Sequence, residues 1–342
     1  MPVPDQPTRS DGVVTLRPCQ DDDIEPTRLA HDEAIADAFG FPEVIPSARQ
    51  HRQAVQRWSA AYAAERRTVN FVVEYAGQPV GTVEVRDQGD RLGQLSWTLY
   101  PPYRGQGLAT RAVCLLLRYA FDELGMERLE AYVAPDNISS LRVAARCGLR
   151  REGLLRRREN TGAVRRDHVL LARLHDDPEP HDPAGSRALL NAALPRKRVI
   201  AQLAIRDRRD RLLLCELTYK RDWDFPGGVV EVGESPRVAA AAETAEELGL
   251  RLPVGRLVAV DWLPTWSGWD DACVLVYDGG VVDESIVGQI TPEPHEIRSA
   301  GFCSRAEAVA RCADFTARRV QALLDAVPST TLYLESGRPV DG

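Results

Sequence analysis

The feature that most restricts the fold of this chain is an acidic helix end within residues 228–250, which read GVVEVGESPRVAAAAETAEELGL. Three carboxylates, Glu243, Glu246 and Glu247, fall in the last turns of a helix that Gly249 ends. Like charges three and four residues apart repel each other, and acids near a helix C-terminus oppose the helix dipole. A bound cation offsets this cost, and because the ligands are all oxygen atoms the pattern favours Mg²⁺ or Mn²⁺.

The size and composition of the chain predict two globular domains. With 342 residues, each domain has enough chain for a core of its own. The content of 44% hydrophobic and 27% charged residues is ordinary for a globular protein. The net charge of −7 provides no overall basic field, so we expect no nucleic-acid partner.

The cysteines and the apolar segments of the chain indicate the cellular compartment in which we expect it. Seven cysteines, an odd count without CxxC spacing, predict free thiols in a reducing environment and neither a disulfide framework nor a zinc site. The polar start, MPVPDQPTRSDG, lacks the apolar run of a signal peptide. The apolar stretch at 112–121 contains Arg118 and is too short to span a bilayer. We therefore expect a cytoplasmic protein with no membrane partner.

A segment rich in proline and aspartate divides the chain. Residues 175–185 read HDDPEPHDPAG, which predicts an exposed linker, and a short helical pattern follows at 186–194. We predict a first domain at 12–174, a linker at 175–195, a second domain at 196–325 and a tail at 326–342. The tail is either a short strand packing back or loose.

Hydrophobic periodicity predicts a mixed fold for both domains. In the first domain it indicates strands at 13–17, 70–75, 80–86, 94–100 and 128–133, and helices at 24–38, 48–66, 108–124 and 139–147. In the second domain, strands at 199–206 and 211–216 precede the acidic helix. The expected fold class is α/β, or α+β, with two domains.

A glycine-rich turn in the first domain has the architecture of an anion site. The turn PPYRGQG, at 101–107, lies between a predicted strand and a predicted helix. Glycines let backbone N–H groups turn toward a ligand, and the helix start presents its positive end. The third glycine of a dinucleotide fold and the Lys of a P-loop are both absent from the turn.

The residues around this turn resemble the GNAT acetyltransferases. Arg104, Gly107 and Ala109 match the acetyl-CoA pyrophosphate loop of that family. The downstream segments DNISS at 136–140, Cys-Gly-Leu at 147–149 and Glu-Gly at 152–153 resemble the branch that contains ribosomal-protein N-terminal acetyltransferases, with Leu149 in place of the usual Phe. The resemblance covers about residues 12–174.

This resemblance implies a mixed sheet with flanking helices that transfers an acetyl group from acetyl-CoA to an amine. A gap between the strands at 94–100 and 128–133 would take the pantetheine arm, and Glu84 or Glu130 would act as general base. Either Tyr132 or Tyr103 would protonate the departing thiolate. The implied cofactor-binding residues are Arg104, Gly105, Gln106, Gly107, Leu108, Ala109, Asn137 and Ser140.

The acidic helix and the loop before it resemble the box of the Nudix hydrolases, over about residues 196–325. The matching positions are Gly228, Glu234, Glu243, Glu246, Glu247, Gly249 and Leu250. Ala242 stands where the family has an orienting Arg, and Thr244 where it has an apolar residue.

The Nudix resemblance implies an α/β/α sandwich and metal-assisted attack of water on a nucleoside diphosphate-type substrate. The implied metal ligands are Gly228, Glu243, Glu246 and Glu247. Glu246, Glu247 or a carboxylate elsewhere, such as Glu296, would act as base. Three tryptophans at 262, 266 and 269 either stack on a nucleobase or pack as a core or loop anchor.

Three functional hypotheses follow from these patterns. The first is a bifunctional enzyme, an acetyl-CoA-dependent N-acetyltransferase joined to a Mg²⁺-dependent hydrolase. In the second, the Nudix-like domain is a weak nucleotide-binding module that regulates the acetyltransferase, which Ala242 favours. In the third, the first domain only binds CoA. The expected partners are a small-molecule or peptide amine acceptor and a nucleoside diphosphate-type substrate.

Overall fold

The computed structural model of the protein describes residues 6–39, 43–65, 67–160, 164–220, 222–327 and 329–340. The chain splits into two compact units, Met1–Leu194 and Pro195–Gly342. Parts of the predicted segments, such as Arg66 at the end of one helix and the last two residues of the tail, lie outside the described residues. No described helix is long and apolar enough to cross a membrane.

The first unit is built on one mixed sheet. Its strands are β1 (Arg9–Ser10), β2 (Val14–Arg17), β3 (Val69–Tyr75), β4 (Gln78–Asp87), β5 (Leu92–Leu99), β6 (Arg128–Val133), β7 (Arg150–Asn160) and β8 (Arg165–Leu174). Its helices are α1 (Ile24–Leu29), α2 (Glu33–Phe39), α3 (Ala48–Glu65), α4 (Leu108–Asp122), α5 (Ile138–Arg146) and α6 (Pro183–Ala193). The described strands follow the order β1-β2-β3-β4-β5-β6-β8-β7.

Helix α4 forms the core of this unit against the sheet. Its buried side chains recur at helical spacing, for example Leu108, Ala112 and Leu116, and they contact strand residues such as Val83 and Leu129 within one cluster. The strands face this helix with every second residue, which is the period that one-sided burial requires. The helix thereby fixes the position of the glycine-rich turn that precedes it.

The single helix predicted at 24–38 is wrong, because the structure divides it into α1 and α2. Asp32 causes the division, since its Oδ1 accepts the backbone N–H of Ile35 at 3.0 Å and so caps the second helix. Strands β7 and β8, which no sequence pattern predicted, form an antiparallel hairpin at the edge of the sheet.

The segment at 175–185 is mostly exposed, as its composition predicts, but polar contacts attach it to the first unit. Asp177 forms an ion pair with Arg150 at 2.6 Å, and Glu179 accepts a hydrogen bond from Arg173 at 2.9 Å. Gly185 approaches the Glu179 carbonyl so closely that a Cβ would lie 2.0 Å from that oxygen. The polar side chains therefore hold the segment, together with α6, to the first unit.

The second unit also has a mixed sheet with helices. Its strands are β9 (Arg198–Asp207), β10 (Leu212–Leu217), β11 (Trp223–Asp224), β12 (Gly227–Val229), β13 (Leu257–Leu263), β14 (Ala272–Val282), β15 (Ile297–Cys303), β16 (Leu332–Glu335) and β17 (Arg338–Pro339). Its helices are α7 (Pro236–Leu248), α8 (Arg305–Arg311) and α9 (Asp314–Asp325). The described strands run β11-β10-β9-β14-β13-β16-β17, with β12 paired to β9 and β15 to β10.

Both faces of the second sheet are buried. Along β10, Leu212 and Leu214 belong to one hydrophobic cluster, while Leu213 and Cys215 belong to another. Because alternate residues of a strand point to opposite faces, the two clusters lie on opposite sides of the sheet. This layering confirms the predicted two-domain α/β class. Within the predicted tail, β16 pairs in parallel with β13.

A buried polar network joins α9 to this sheet. The Arg319 side chain is 1% exposed, and its Nε donates to Asp261 at 2.8 Å while its Nη1 donates to Gln202 at 2.9 Å. Gln202 in turn donates to Asp224, which precedes the loop to α7. Buried charges of this kind are tolerated because each is paired and hydrogen-bonded.

Candidate active sites

A cavity of about 780 Å³ opens in the first unit where two parallel strands separate. Strands β5 and β6 pair only over residues 92–94 and 128–130. Beyond that point the residues 95–98 of β5 and 131–133 of β6 line the cavity. The two strands therefore leave the gap between them that a pantetheine arm requires.

The glycine-rich turn lies between the end of β5 and the start of α4. Gly105 and Gly107 have φ angles of +77° and +78°, and a Cβ at either position would meet no atom within 4 Å. The first helical bond of α4 runs from the Arg111 N–H to the Gly107 carbonyl. The N–H groups of Leu108 and Ala109 precede this ladder, so they are available to an anion at the positive end of the helix.

Two side chains that the sequence assigns to cofactor binding form hydrogen bonds within the protein instead. Arg104 donates to both carboxylate oxygens of Asp32, at 2.7 and 3.0 Å, and its Nε donates to the Leu99 carbonyl at 2.9 Å. Gln106 donates to the Pro102 carbonyl at 3.0 Å. The hydrogen bond from Arg104 also lowers the pKa of Asp32. The cradle thus presents backbone donors, and Arg104 ties it to α2.

Asn137 and Ser140 lie on the cavity wall at the start of α5. The Asn137 Oδ1 accepts the Ser140 N–H at 3.1 Å and the Ser139 hydroxyl at 2.9 Å, which makes Asn137 the N-cap of the helix. Because the cap uses the carbonyl oxygen, the amide nitrogen of Asn137 is the group left to donate toward a ligand.

The two candidate bases occupy different surroundings. Glu84 is 9% exposed, lines the cavity, and accepts from Ser96 at 3.2 Å and from Arg86 at 3.2 and 3.3 Å. Glu130 accepts shorter bonds, from Arg128 at 2.7 Å and from the Tyr132 hydroxyl at 2.6 Å. Tyr132 lines the cavity, but Glu130 is not among its lining residues.

The cavity has a second group of lining residues that the sequence patterns did not single out. His31, His51 and Trp58 come from the helical side, and Arg158, Glu159 and His168 from the β7–β8 hairpin. His168 is 6% exposed, and its Nε2 lies 3.2 Å from the Glu159 carboxylate. The available signal was the apolar run at 169–172 of β8, within a mostly buried stretch that follows two exposed arginines.

In the second unit, Gly227 and Gly228 of strand β12 lie against two of the three acidic side chains. The Gly227 N–H donates to the Glu247 carboxylate at 2.8 Å. A Cβ at Gly228 would lie 2.4 Å from the Glu243 Cδ and 2.5 Å from both of its oxygens, so only glycine leaves room for this carboxylate. Glu246 is exposed on the same helix.

The carboxylates of Glu243 and Glu247 have the oxygen donors and the unfavourable mutual repulsion that a divalent cation would suit. Burial, followed by the charges of Glu246 and Glu296, raises the pKa of Glu243. Burial, together with the charges of Glu243 and Glu296, raises the pKa of Glu247 to about 8, although the Gly227 N–H opposes this shift. Oxygen ligands of this kind suit Mg²⁺ or Mn²⁺, and a cation would relieve the repulsion.

The predicted ligands are nevertheless not gathered into a ready-made site. Within the described ranges, no group of three or more His, Cys, Asp or Glu side chains is placed to hold a metal ion. Thr244 is buried and donates to the Ala240 carbonyl at 2.7 Å, which satisfies its hydroxyl at an apolar position.

Two of the three tryptophans mark an exposed hairpin. Trp266 and Trp269 are 43% and 49% exposed, and their backbones bridge each other. Trp266 packs edge-on against Phe315, and the Arg198 guanidinium lies 4.9 Å from the Trp269 ring centroid. The pair anchors this loop, and each ring keeps an exposed part.

Family models match the two units in succession. An acetyltransferase (GNAT) domain covers residues 14–150, and a NUDIX domain covers residues 195–324. The protein belongs to the GNAT acetyltransferase family through its first unit and carries a NUDIX domain in its second. The predicted GNAT family is confirmed, and residues 195–324 match a NUDIX domain model as predicted.

Individual relatives resemble part of the chain. The probable N-acetyltransferase YjcK of Bacillus subtilis (strain 168) is 39% identical over 85 residues, which are 25% of this chain and 47% of the relative. The SPbeta prophage-derived uncharacterized N-acetyltransferase YokL of the same strain is 30% identical over 149 residues, 42% of this chain and 80% of the relative.

The uncharacterized N-acetyltransferase YnaD is matched over 41% of its length. The chain thus spans less than half of YjcK and of YnaD. The solved structure of Mycobacterium smegmatis RimJ in complex with CoA-disulfide aligns at a TM-score of 0.42 with 27% identity, over 54% of this chain and 92% of that one.

Proposed function

We propose that the protein is a bifunctional enzyme. Its first unit transfers the acetyl group of acetyl-CoA to an amine of a small molecule or peptide, and its second unit hydrolyses nucleoside diphosphate-linked compounds with Mg²⁺ or Mn²⁺. The observation that carries the proposal is the cavity between the separating ends of β5 and β6, which Tyr100 and Asn137 also line. This cavity would serve as the thioester channel, and the turn that follows Tyr100 leads to the N-terminal donors of α4, which would supply the anion cradle.

In the first unit, the N–H groups at the start of α4 hold the CoA pyrophosphate, and the Asn137 amide orients the cofactor. Glu84 serves as general base, since it lines the cavity while Glu130 is committed to Arg128 and Tyr132. Glu84 removes a proton from the acceptor ammonium, and the free amine attacks the thioester carbonyl carbon. The C–S bond then breaks, the nitrogen loses its second proton, and CoA leaves as the thiol that carries this proton.

In the second unit, Glu243, Glu246, Glu247 and the Gly228 carbonyl are the residues that would hold the divalent cation. When bound, such a cation neutralises diphosphate charge and lowers the pKa of a water molecule. The Gly227 N–H of strand β12 fixes the position of the Glu247 carboxylate. Either Glu246 or Glu247 accepts the proton of the attacking water.

A second candidate function is supported by the same helix. Ala242 stands in place of the arginine of the family pattern. The missing arginine favours a module that binds a nucleotide, turns it over slowly and regulates the acetyltransferase. The two candidates differ in whether the module hydrolyses a nucleotide efficiently.

The acetyltransferase half is tested with a matched pair of glycine variants. Gly107 and Gly89 both have positive φ, at +78° and +82°, and both have open space at Cβ. Gly107→Val and Gly89→Val therefore impose comparable backbone strain. We expect Gly107→Val to lose CoA binding and CoA release from acetyl-CoA, while Gly89→Val keeps both. Equal activity of the two variants would remove the cradle assignment.

The hydrolase half is tested on a panel of nucleoside diphosphate compounds with Mg²⁺. Wild type should cleave at least one compound, and Glu246→Gln or Glu247→Gln should abolish cleavage. Asp314→Asn, at a 95% exposed side chain in α9, is the control and should leave turnover unchanged. Nucleotide binding without turnover across the panel would instead support the regulatory function.

A further inference from the structure

Two thiols meet where α4 passes the end of α5. Cys114 lies in the middle of α4 and Cys147 directly follows α5, and their Sγ atoms are 3.1 Å apart. All seven cysteines are free, and in the part of the chain that the structure describes no other two cysteine sulfurs share a hydrogen bond. The two sulfurs are therefore about 1 Å from the length of a covalent disulfide bond.

The two thiols differ in access and in acidity. Cys114 is partly exposed, whereas Cys147 is fully buried. The hydrogen bond shared with Cys147, aided by the charges of Arg118 and Arg173, lowers the pKa of Cys114 against the effect of burial. The same hydrogen bond and burial raise the pKa of Cys147. A partly exposed thiol beside positive charge is the one that reacts first with an oxidant.

We propose that Cys114 and Cys147 form a reversible dithiol–disulfide site, which a low-molecular-weight disulfide closes and which weakens coenzyme binding when closed. The Cys114 thiolate attacks one sulfur of the oxidant RSSR and releases RS⁻, which leaves a mixed disulfide at Cys114. Cys147 loses its proton and attacks the Cys114 sulfur, releasing a second RS⁻. The protein loses two protons and two electrons, and RSSR becomes two RSH.

The site connects the two elements that carry the candidate cofactor residues. Helix α4 begins at Gly107 of the cradle, and α5 begins at its N-cap, Asn137. The Cys147 backbone is itself fixed, because its carbonyl accepts the Arg173 guanidinium at 2.9 Å. Closing the sulfur gap by about 1 Å therefore strains the contact between α4 and α5, and α4 transmits this strain to the cradle. This consequence rests on the proposed acetyltransferase function, whereas disulfide formation does not.

The disulfide is tested by equilibrating the full chain with mixtures of oxidised and reduced glutathione, quenching free thiols and mapping peptides by mass spectrometry. We expect a peptide pair linked through residues 114 and 147 that disappears on reduction. In Cys147→Ser, glutathione should remain attached at Cys114. Cys19→Ser is the control, since Cys19 is partly exposed in the same unit and its thiol donates to the Gln20 carbonyl.

Absence of the linked peptide at every glutathione ratio would overturn the proposal. So would glutathione attached to Cys114 in wild type without closure onto Cys147, or zinc bound by the reduced pair in preference to oxidation. A link that appears equally between Cys19 and another cysteine would show indiscriminate oxidation and would also overturn it.

Coenzyme binding is measured with desulfo-CoA, which has no thiol to reduce the site. Oxidised wild type should bind desulfo-CoA about five-fold or more weakly than reduced wild type, at the lower end of typical coupling between two sites. Oxidised Cys147→Ser, which cannot form the 114–147 disulfide, shows the effect of other oxidation. Oxidised Cys19→Ser, which can form it, should bind desulfo-CoA as weakly as oxidised wild type. Unchanged affinity in the closed protein would refute the coupling. Reduced protein that binds no desulfo-CoA would refute the acetyltransferase proposal instead, while peptide mapping still tests the thiol pair.

Discussion

Gly228→Ala provides a quantitative test of how closely strand β12 packs against the Glu243 carboxylate of the acidic helix. The new Cβ would lie 2.4 Å from the Glu243 Cδ, whereas ordinary contacts of a Cβ begin at 3.4 Å. The Glu243 carboxylate must therefore withdraw by about 1 Å. A displacement of that size at a reacting group costs roughly 10²-fold in rate, so we expect nucleotide hydrolysis to fall by about that factor.

The same substitution should leave the fold almost unchanged. Gly228 does not have a positive φ, so alanine is compatible with its backbone. The atoms that must move are the end of a flexible side chain, and an off-rotamer adjustment costs about 1 kcal/mol. Thermal unfolding of Gly228→Ala should therefore resemble that of wild type.

The assay is phosphate release from the best nucleotide of the panel, with Gly288→Ala as the control. A Cβ at Gly288 meets no atom within 4 Å, so this variant should keep wild-type turnover and stability. Wild-type turnover in Gly228→Ala would refute the role of Glu243 at this strand. Global unfolding of the variant would refute the view that the side chain can yield.

Three further outcomes follow from named contacts. Glu84→Gln should lower the acetyl-transfer rate by about 10²-fold or more while Glu130→Gln changes it little, measured as kcat with acetyl-CoA saturating; the reverse order would move the base to Glu130. Burial and neighbouring positive charge lower the pKa of His51 to about 4, so the folded state binds fewer protons than the unfolded state below about pH 6.5. Stability should thus fall, by at most about 3 kcal/mol, as pH drops from about 6.5 to about 4, and denaturant titrations of His51→Gln should lack this loss. Arg319→Ala should cost about 3–5 kcal/mol in chemical denaturation because it strands buried acids, whereas Arg318→Ala, at a partly exposed pair, should cost about 1 kcal/mol or less.

The sequence predicted those helix ends, strands and turns that depend on neighbouring residues. The acidic helix ends at Gly249, whose φ of +69° makes it the left-handed cap that the sequence predicts. Strand β6 occupies the predicted residues 128–133, since its alternating burial is visible in the sequence itself. The glycine-rich turn leads directly into α4, as its glycines and the helical spacing after them predict.

Long-range partners were not predictable from the sequence. Arg104 matches a cofactor loop, yet its guanidinium binds Asp32, 72 residues away. The β7–β8 hairpin supplies Arg158 and His168 to the cavity, but its arginine-rich strands show no clear alternation of apolar residues. Strand pairing brings the hairpin to the cavity, and tertiary packing brings Asp32 to the turn that contains Arg104. One-dimensional periodicity records neither contact.

The most direct test of a two-activity protein measures both reactions on one preparation of the full chain. Acetyl-CoA with an amine panel reports the first reaction, and Mg²⁺ with a nucleoside diphosphate panel reports the second. We expect Gly107→Val to lose only acetyl transfer and Glu246→Gln to lose only nucleotide hydrolysis. A wild-type protein that lacked either activity would contradict the bifunctional proposal. So would a Glu246→Gln variant without acetyl transfer if the wild type hydrolysed no nucleotide.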